Sequence, residues 1–355
     1  MYRVFQWASG GVGKLAARAV IERPGLELVG LHVSSSSKAG KDSGELLTGQ
    51  ANGIAATADI EAVKASNADV VLHTPLPSLI AGENPDQDLD DFCELLRAGK
   101  NVITVVGYLY PKVHGSAVVD RLEAACKEGN SSFHSTGLNP GWMGDVLPLT
   151  ISSLCKRIDH IQVLEISRFD GYASPEIMFD SMGFNALPQE YERKIQGQKR
   201  WLDALFSESV QLVADGLGLG VTEIVSTVTT ELAQQELTVA AGVVREGSVA
   251  GQRWRWSGLA HGKEVIAHET IWRIHPDVAP DWPQGNNWLR FKGEPNINFE
   301  IESDFRFMDN GAIATPMQMV NAIPYVVDAP PGIQTPLDLP RIMLNNNKSI
   351  GRGVE

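Results

Sequence analysis

Tyr2-Arg3-Val4-Phe5-Gln6-Trp7-Ala8-Ser9-Gly10-Gly11-Val12-Gly13-Lys14-Leu15 is the stretch that decides how this chain is read. Tyr2 to Ala8 alternate and are rich in β-forming residues, which predicts a strand. Lys14 to Glu22 carry apolar residues at helical spacing. Between them lies a glycine turn. With no Cβ at Gly10 the backbone can approach a pyrophosphate, whose charge then faces the free N–H groups and positive dipole end of the helix. The dinucleotide fingerprint is G-x-G-x-x-G, and here Ala8 replaces its first glycine while Gly10 and Gly13 hold the second and third places. Ser9, Gly10, Gly11, Val12 and Gly13 are therefore candidate cofactor residues. The competing Walker reading, G-x-x-x-x-G-K-[ST], fails at Ala8 and at Leu15.

Outward from the turn, short apolar runs alternate with amphipathic ones. Strands are predicted at Tyr2 to Ala8, Leu26 to Ser34, Asp69 to His73, Asn101 to Val105 and Ser131 to Ser135, with helices at Lys14 to Glu22, Leu89 to Ala98 and Val113 to Lys127. Gly99 and Gly129 suit helix C-caps. This is the pattern of an α/β, doubly wound Rossmann domain with a parallel sheet, predicted over 1–155 and completed by 315–355. Thr74 and Pro75, just past the third strand, join the cofactor candidates.

From about Ile158 the texture changes to longer alternating runs: Ile158 to Ser167, Val221 to Glu231, Leu237 to Arg245, Arg253 to Ala260 and Glu264 to Ile274. The last two flank His261-Gly262-Lys263, a hairpin turn. An α+β domain with a mostly antiparallel sheet is expected over 156–314, covered by a helix near Lys199 to Leu217, for substrate binding and dimerisation. Trp254, Trp256 and Trp272 are expected on a face that packs at a subunit interface. Pro276 to Pro295 reads as loop, strands resume near Asn298 to Phe307, and one short helix follows Pro316 before Pro330-Pro331-Gly332.

Length and composition agree with two globular domains: 355 residues, 43% hydrophobic and 21% charged, with no apolar run long enough to cross a bilayer. A net charge of −13 disfavours nucleic acid and anionic membranes as partners. Met1 to Ala8 lack the features of a secretory signal, so a cytoplasmic location is expected. The three cysteines lie far apart and the histidines form no ligand spacing, so no metal is expected.

Past the second strand, where an enzyme using NAD usually presents Asp or Glu to the ribose, the chain offers Ser34-Ser35-Ser36-Ser37-Lys38. Hydroxyls and a cation suit a 2′-phosphate, so Ser34, Ser35 and Lys38 favour NADP over NAD. A solvated polar loop is the alternative.

Phe5-Gln6-Trp7, the run VSSSSKAGKDSGE over Val33 to Glu45, Gly99-Lys100-Asn101-Val102, Gly137-Leu138-Asn139-Pro140-Gly141 and Asn321-Ala322-Ile323-Pro324 resemble the dihydrodipicolinate reductase-like group. Within that group they resemble the 2,4-diaminopentanoate dehydrogenase and native amine dehydrogenase family. The resemblance implies NAD(P)H-dependent reductive amination of a ketone, or its reverse, in a homodimer. It also implies that Thr136 to Asp145 and the helix near Asn321 line the nicotinamide site, with Asn139, Gly141 and Asn321 as contacts. Family members with amine dehydrogenase activity carry a Glu just after the fourth strand, in a stretch of the type T-T-A-E-E. Here that stretch is Thr104-Val105-Val106-Gly107-Tyr108-Leu109-Tyr110-Pro111, without a carboxylate.

Because reduction of a carbonyl needs only one donor to the developing alkoxide, Tyr108 and Tyr110 are the catalytic candidates. Tyr108 and Lys112 also fit a Y-x-x-x-K spacing, which Pro111 between them makes a chance match. His134 and Asn139 are substrate candidates near strand ends, with Tyr108; in the second half Phe169, Tyr172 and Met178 form a pocket loop for an apolar ketone, imine or amine. The expected chemistry is hydride transfer to a C=O or C=N carbon. A true amine dehydrogenase and a non-catalytic NADP-binding sensor are the alternatives.

Overall fold

The computed structural model describes residues 1–81, 83–302 and 311–344, and the chain forms two compact units, Met1–Trp142 with the segment from Ala312 onward, and Met143–Gly311.

In the first unit the order is β1 (Tyr2–Trp7), α1 (Gly11–Glu22), β2 (Leu26–His32), α2 (Ser43–Thr48), α3 (Ile60–Ala65), β3 (Val70–His73), α4 (Ser78–Ala81), α5 (Gln87–Arg97), β4 (Asn101–Thr104), a 3-10 turn (Pro111–His114), α6 (Ser116–Gly129) and β5 (Ser132–Ser135). A later segment adds the last strand of this sheet, Gly332–Ile333. All the pairings are parallel, and the first strand lies between the second and third, so the strand order reverses beside the glycine turn. Alternation along each strand sends Val4, Leu72 and Ile103 to one core, and Phe5, Val71 and Val102 to another. Burial on both faces is what a doubly wound sheet requires.

The second unit holds α7 (Val146–Ser152), β6 (Arg157–Arg168), a π-helical turn (Glu176–Ser181), α8 (Pro188–Lys194), α9 (Gln196–Leu217), β7 (Glu223–Leu232), β8 (Leu237–Val239), β9 (Gly242–Val244), β10 (Val249–Ala260), β11 (Lys263–Arg273), β12 (Asn287–Glu294) and β13 (Ile297–Ile301). The chain then returns to the first unit with α10 (Gly311–Val327) and β14 (Gly332–Ile333). The sheet runs β13-β12-β6-β11-β10-β7, and only β6 with β11 is parallel. His261 and Gly262 both take positive φ, 52° and 74°, the backbone of a two-residue hairpin turn between β10 and β11. No helix among the described residues is long and apolar enough to cross a membrane.

Several local expectations give way to tertiary context. Pro276 to Pro295 is not all loop, because β12 runs through it and pairs with β6. Leu237 to Arg245 is two short strands rather than one, folded on each other about Ala240. Gly129 is the last residue of α6, not its cap; the left-handed cap is Asn130, and a Cβ at Gly129 would run into the Leu96 carbonyl oxygen. The helix expected after Pro316 begins at Gly311 and contains Pro316 and Pro324. β13 ends at Ile301, and the remainder of the run expected to Phe307 falls outside the described residues beyond Glu302. The tryptophan face is not an open interface surface. Trp254 and Trp256 are fully buried under α9, with Trp256 stacked on Phe206 at 4.1 Å and donating to Asp203. The opposite face of the sheet carries Arg253 and Arg255 bridged to Glu264 and Glu269.

Candidate functional site

The glycine turn is built from below. Gln6 is fully buried at the end of β1, and its Nε2 donates to the carbonyls of Trp7 and Ala8 and to Thr74 Oγ1. Thr74 Oγ1 in turn donates to the Trp7 carbonyl at 2.9 Å. Its hydroxyl is thus committed to holding the turn rather than presented above it. A Cβ at Gly13 would lie 2.8 Å from Thr74 Oγ1 and 2.9 Å from Gln6 Nε2, so only glycine lets α1 start this close to the sheet. At Gly10 and Gly11 a Cβ would meet nothing within 4 Å. The turn is therefore open on the side where the first N–H groups of α1 emerge, while Ala8 accepts a left-handed φ of 76° in place of the fingerprint's first glycine.

Lys38 reaches across from the loop after β2, its Nζ donating to Ser9 Oγ at 3.2 Å, while Ser35 and Ser37 share a hydroxyl contact at 2.7 Å and Ser34 is exposed. Cation, hydroxyls and open turn are one constellation. Pro75 follows Thr74, half-buried. Asn321 stands elsewhere in the unit: Arg23 Nη1 donates to its Oδ1, at the C-terminal end of α1 and about 18 Å along the helix from Gly10. The N-terminal end of α10 reaches the other candidate turn instead, where Leu138 N donates to Thr315 Oγ1. In that turn Gly141, at φ 121°, packs so closely on Gly137 that a Cβ would sit 2.6 Å from the Gly137 oxygen, and Asn139 between them is half-buried. Thr315 is a residue no motif announced.

Beyond β4, Gly107 at φ 130° and Tyr108 at φ 64° turn the chain sharply. A bulky side chain in the left-handed region is a strained choice, of order 1–3 kcal/mol. The Tyr108 ring meets Phe92 edge-on at 5.6 Å and lies 4.9 Å from His114. Lys112 lies 5.8 Å over the ring of Tyr110. His134 is 1% exposed and bonded through Nδ1 to the Gln334 carbonyl, inside the packing of β14 on β5. Burial pushes it down to about 4, and His73 to about 3, so both are neutral at physiological pH.

The second unit gathers its own cluster. Phe169 lies 6.3 Å from Tyr172, 6.1 Å from Phe184 and 5.7 Å from Trp272, while Met178 is fully buried in the π-helical turn. Beside Trp272, and unforeseen in the sequence, stands Glu165 on β6. Its Oε1 accepts from Ser167 Oγ at 2.7 Å and from Trp272 Nε1 at 3.3 Å. Its partner in register on β11 is Thr270, fully buried with no hydrogen bond to Oγ1. The only sequence signal was a Glu interrupting an apolar strand. Asp145 caps α7, accepting from Val146 N and from Ser209 Oγ. Among the described residues no set of three His, Cys, Asp or Glu side chains is arranged to hold a metal.

Residues 142–350 match the C-terminal domain of 2,4-diaminopentanoate dehydrogenase, and residues 7–81 match the N-terminus of dihydrodipicolinate reductase. The chain is 32% identical over 351 residues to an amine dehydrogenase of Streptomyces virginiae, covering 94% of this chain and 95% of that one. It is 24% identical over 235 residues to the 2,4-diaminopentanoate dehydrogenase of Acetoanaerobium sticklandii, which spans 65% of this chain and 64% of the relative. Among solved structures, the amine dehydrogenase of Mycobacterium smegmatis superposes with a TM-score of 0.77 at 23% identity, covering 97% of each chain.

Proposed function

The chain belongs to the family of 2,4-diaminopentanoate dehydrogenase and amine dehydrogenase, and from that premise we propose that it is an NAD(P)-dependent oxidoreductase acting on the C=O or C=N carbon of a small molecule. The observation that carries this reading is the turn that is closed to a Cβ at Gly13 and open to one at Gly10 and Gly11, with Lys38 bonded to Ser9 at its rim. An open cradle of N–H groups at a helix start fits a pyrophosphate, and a cation with hydroxyls fits a 2′-phosphate. In this reading the N–H groups of Gly11 to Gly13 hold the pyrophosphate, and Lys38, Ser34 and Ser35 select NADPH over NADH. When bound, the nicotinamide supplies the hydride.

The chain's own residues do the rest. Tyr108 or Tyr110 supplies the proton to the oxygen that becomes an alkoxide, a neutral phenol being a competent donor at neutral pH. Asn139 and Gly141 orient the substrate, and the Phe169, Tyr172 and Met178 region forms its apolar wall. The working form is a homodimer, in line with the family resemblance.

The test is NADPH oxidation with cyclic and linear ketones, with and without ammonium, scoring alcohol and amine separately. Turnover to either product is expected in the wild type, reduced about tenfold or more in Tyr108→Phe or Tyr110→Phe. No oxidation with any ketone or imine would leave a cofactor-binding protein without this activity.

A further inference from the structure

We propose that the second unit carries a binding site for a small, singly charged oxyanion of the carboxylate class, seated on the guanidinium of Arg273. The site is separate from the nucleotide seat and from the proposed substrate wall, and it stands whether or not the oxidoreductase reading does. Arg273 ends β11 and is 2% exposed. Alternation turns it away from Trp272 and Thr270, on the side covered by α9, and toward the face of Arg253, Ile271 and Ile166.

The other guanidinium groups around it have carboxylates. Arg168, its partner in register on β6, pairs with Asp170, Arg253 with Glu269, and Arg255 with both Glu264 and Glu269. For Arg273 no carboxylate stands within ion-pair distance among the described residues. Glu231 lies across Gly251 on β7, but Val278 and Trp282 fill the space over that glycine, where a Cβ would sit 3.0 Å from Val278 Cγ1 and 3.5 Å from Trp282 Cζ3. Arg273 instead uses one nitrogen on two carbonyls. Its Nη2 donates to the Pro283 oxygen at 2.9 Å and to the Ala279 oxygen at 3.4 Å, while the buried Nε has no partner. Burial, then the neighbouring charge of Arg253, pushes its pKa down from the ordinary guanidinium range, yet a guanidinium in a protein keeps its proton. A buried cation balanced only by carbonyl dipoles is costly, and an opposite charge that reaches it is held in proportion.

The shape of the vacancy names the ligand. Nε and Nη2 form the edge of the guanidinium fork that takes two oxygens of one carboxylate side by side. Nη2 must give up only its long contact with Ala279 to do so. That carbonyl is not stranded, because Gln284 Nε2 also donates to it at 3.3 Å. Ala279 holds a left-handed φ of 52°, disfavoured for a residue with a Cβ, so the turn loses little by shifting. Pro280, Asp281, Gln284 and Gly285 are exposed on its outer side, which sets the route for an ion through this turn. Ile271 and Trp282 flank the site, the Trp282 ring 5.9 Å from the guanidinium carbon. Apolar flanks favour a singly charged ion over a dianion, whose desolvation costs more.

Sodium acetate is the probe and sodium phosphate the comparison, each titrated at constant ionic strength in sodium chloride and followed by tryptophan fluorescence and calorimetry. Acetate should change the emission of the wild type saturably, and in Trp282→Phe the emission change should vanish while the heat remains. Arg273→Gln should raise the acetate Kd about tenfold or more, and Arg273→Lys, which keeps the charge and loses the fork, by less. Gln284→Ala, at an exposed position, leaves the Ala279 carbonyl without its second donor and should raise the Kd about threefold. Should the Arg273 variants not fold, Trp282→Phe and Gln284→Ala decide alone, and wild-type behaviour in both overturns the site. So does a wild type that binds no acetate, a wild-type Kd in Arg273→Gln, or an emission change that survives in Trp282→Phe. Phosphate bound about tenfold more tightly than acetate overturns the assignment to a singly charged carboxylate.

Discussion

At the scale of single residues, the glycine turn separates two demands that its sequence runs together. Gly13 is needed by the fold, because Thr74 Oγ1, Gln6 Nε2 and the Ala8 carbonyl leave no room for a side chain. Gly10 is not, since a Cβ there meets nothing of the protein. Gly10→Val should therefore leave thermal stability within about 1 kcal/mol of wild type while abolishing nucleotide binding. Gly13→Val should destabilise the fold by about 2 kcal/mol or more, as overpacking does. Thermal melts with a nucleotide titration on each variant check this, and a Gly10→Val protein that still binds NADPH normally would make the turn structural. Tyr108 is the opposite case. Nothing in its spacing betrays that it carries a φ of 64°, because strain is a property of the turn and not of the residue type.

At the scale of elements, the sequence was legible wherever one face of a segment had to be buried. The parallel strands show as short apolar runs, and β10 with β11 shows as a period of two ending in His261-Gly262, a turn whose two positive φ values need such residues. β12 stayed hidden because Gly285 and Asn286 before it and Gly293 within it are turn signals, and its partner β6 lies far away in the chain. The tryptophans were located correctly on strands but given the wrong cover, since alternation shows that a face is buried and not by what. Here α9 covers it. Of the candidate constellations, the glycine turn with Lys38 was legible because its chemistry is contiguous. The neighbourhood of Glu165 was not, because Trp272 and Thr270 lie more than a hundred residues away on a neighbouring strand.

At the scale of the whole molecule, His73, His134 and His268 are held neutral by burial, His73 and His268 pushed down to about 3 and His134 to about 4. An unfolded histidine takes up its proton near pH 6.5, so below that pH the unfolded chain binds protons the folded chain refuses. Stability from these groups is fully present above about pH 6.5 and is lost as pH falls toward 3 to 4, at up to about 1.4 kcal/mol per pH unit for each histidine. The melting temperature should hold steady from pH 7 to 8 and drop steeply below pH 6. His268→Asn should make that drop shallower; a wild-type midpoint unchanged down to pH 4.5 would contradict it.

The proposed function depends on a pyridine nucleotide seated on Ser9 to Gly13, and the proposed preference for NADPH depends on its 2′-phosphate meeting Lys38. Calorimetric titration of NADPH and NADH into wild type and Lys38→Ala tests that seat directly. NADPH should bind the wild type more tightly than NADH, and Lys38→Ala should weaken NADPH by about 1–3 kcal/mol with little effect on NADH. Absence of binding by either nucleotide, or an equal loss for both in Lys38→Ala, would contradict it.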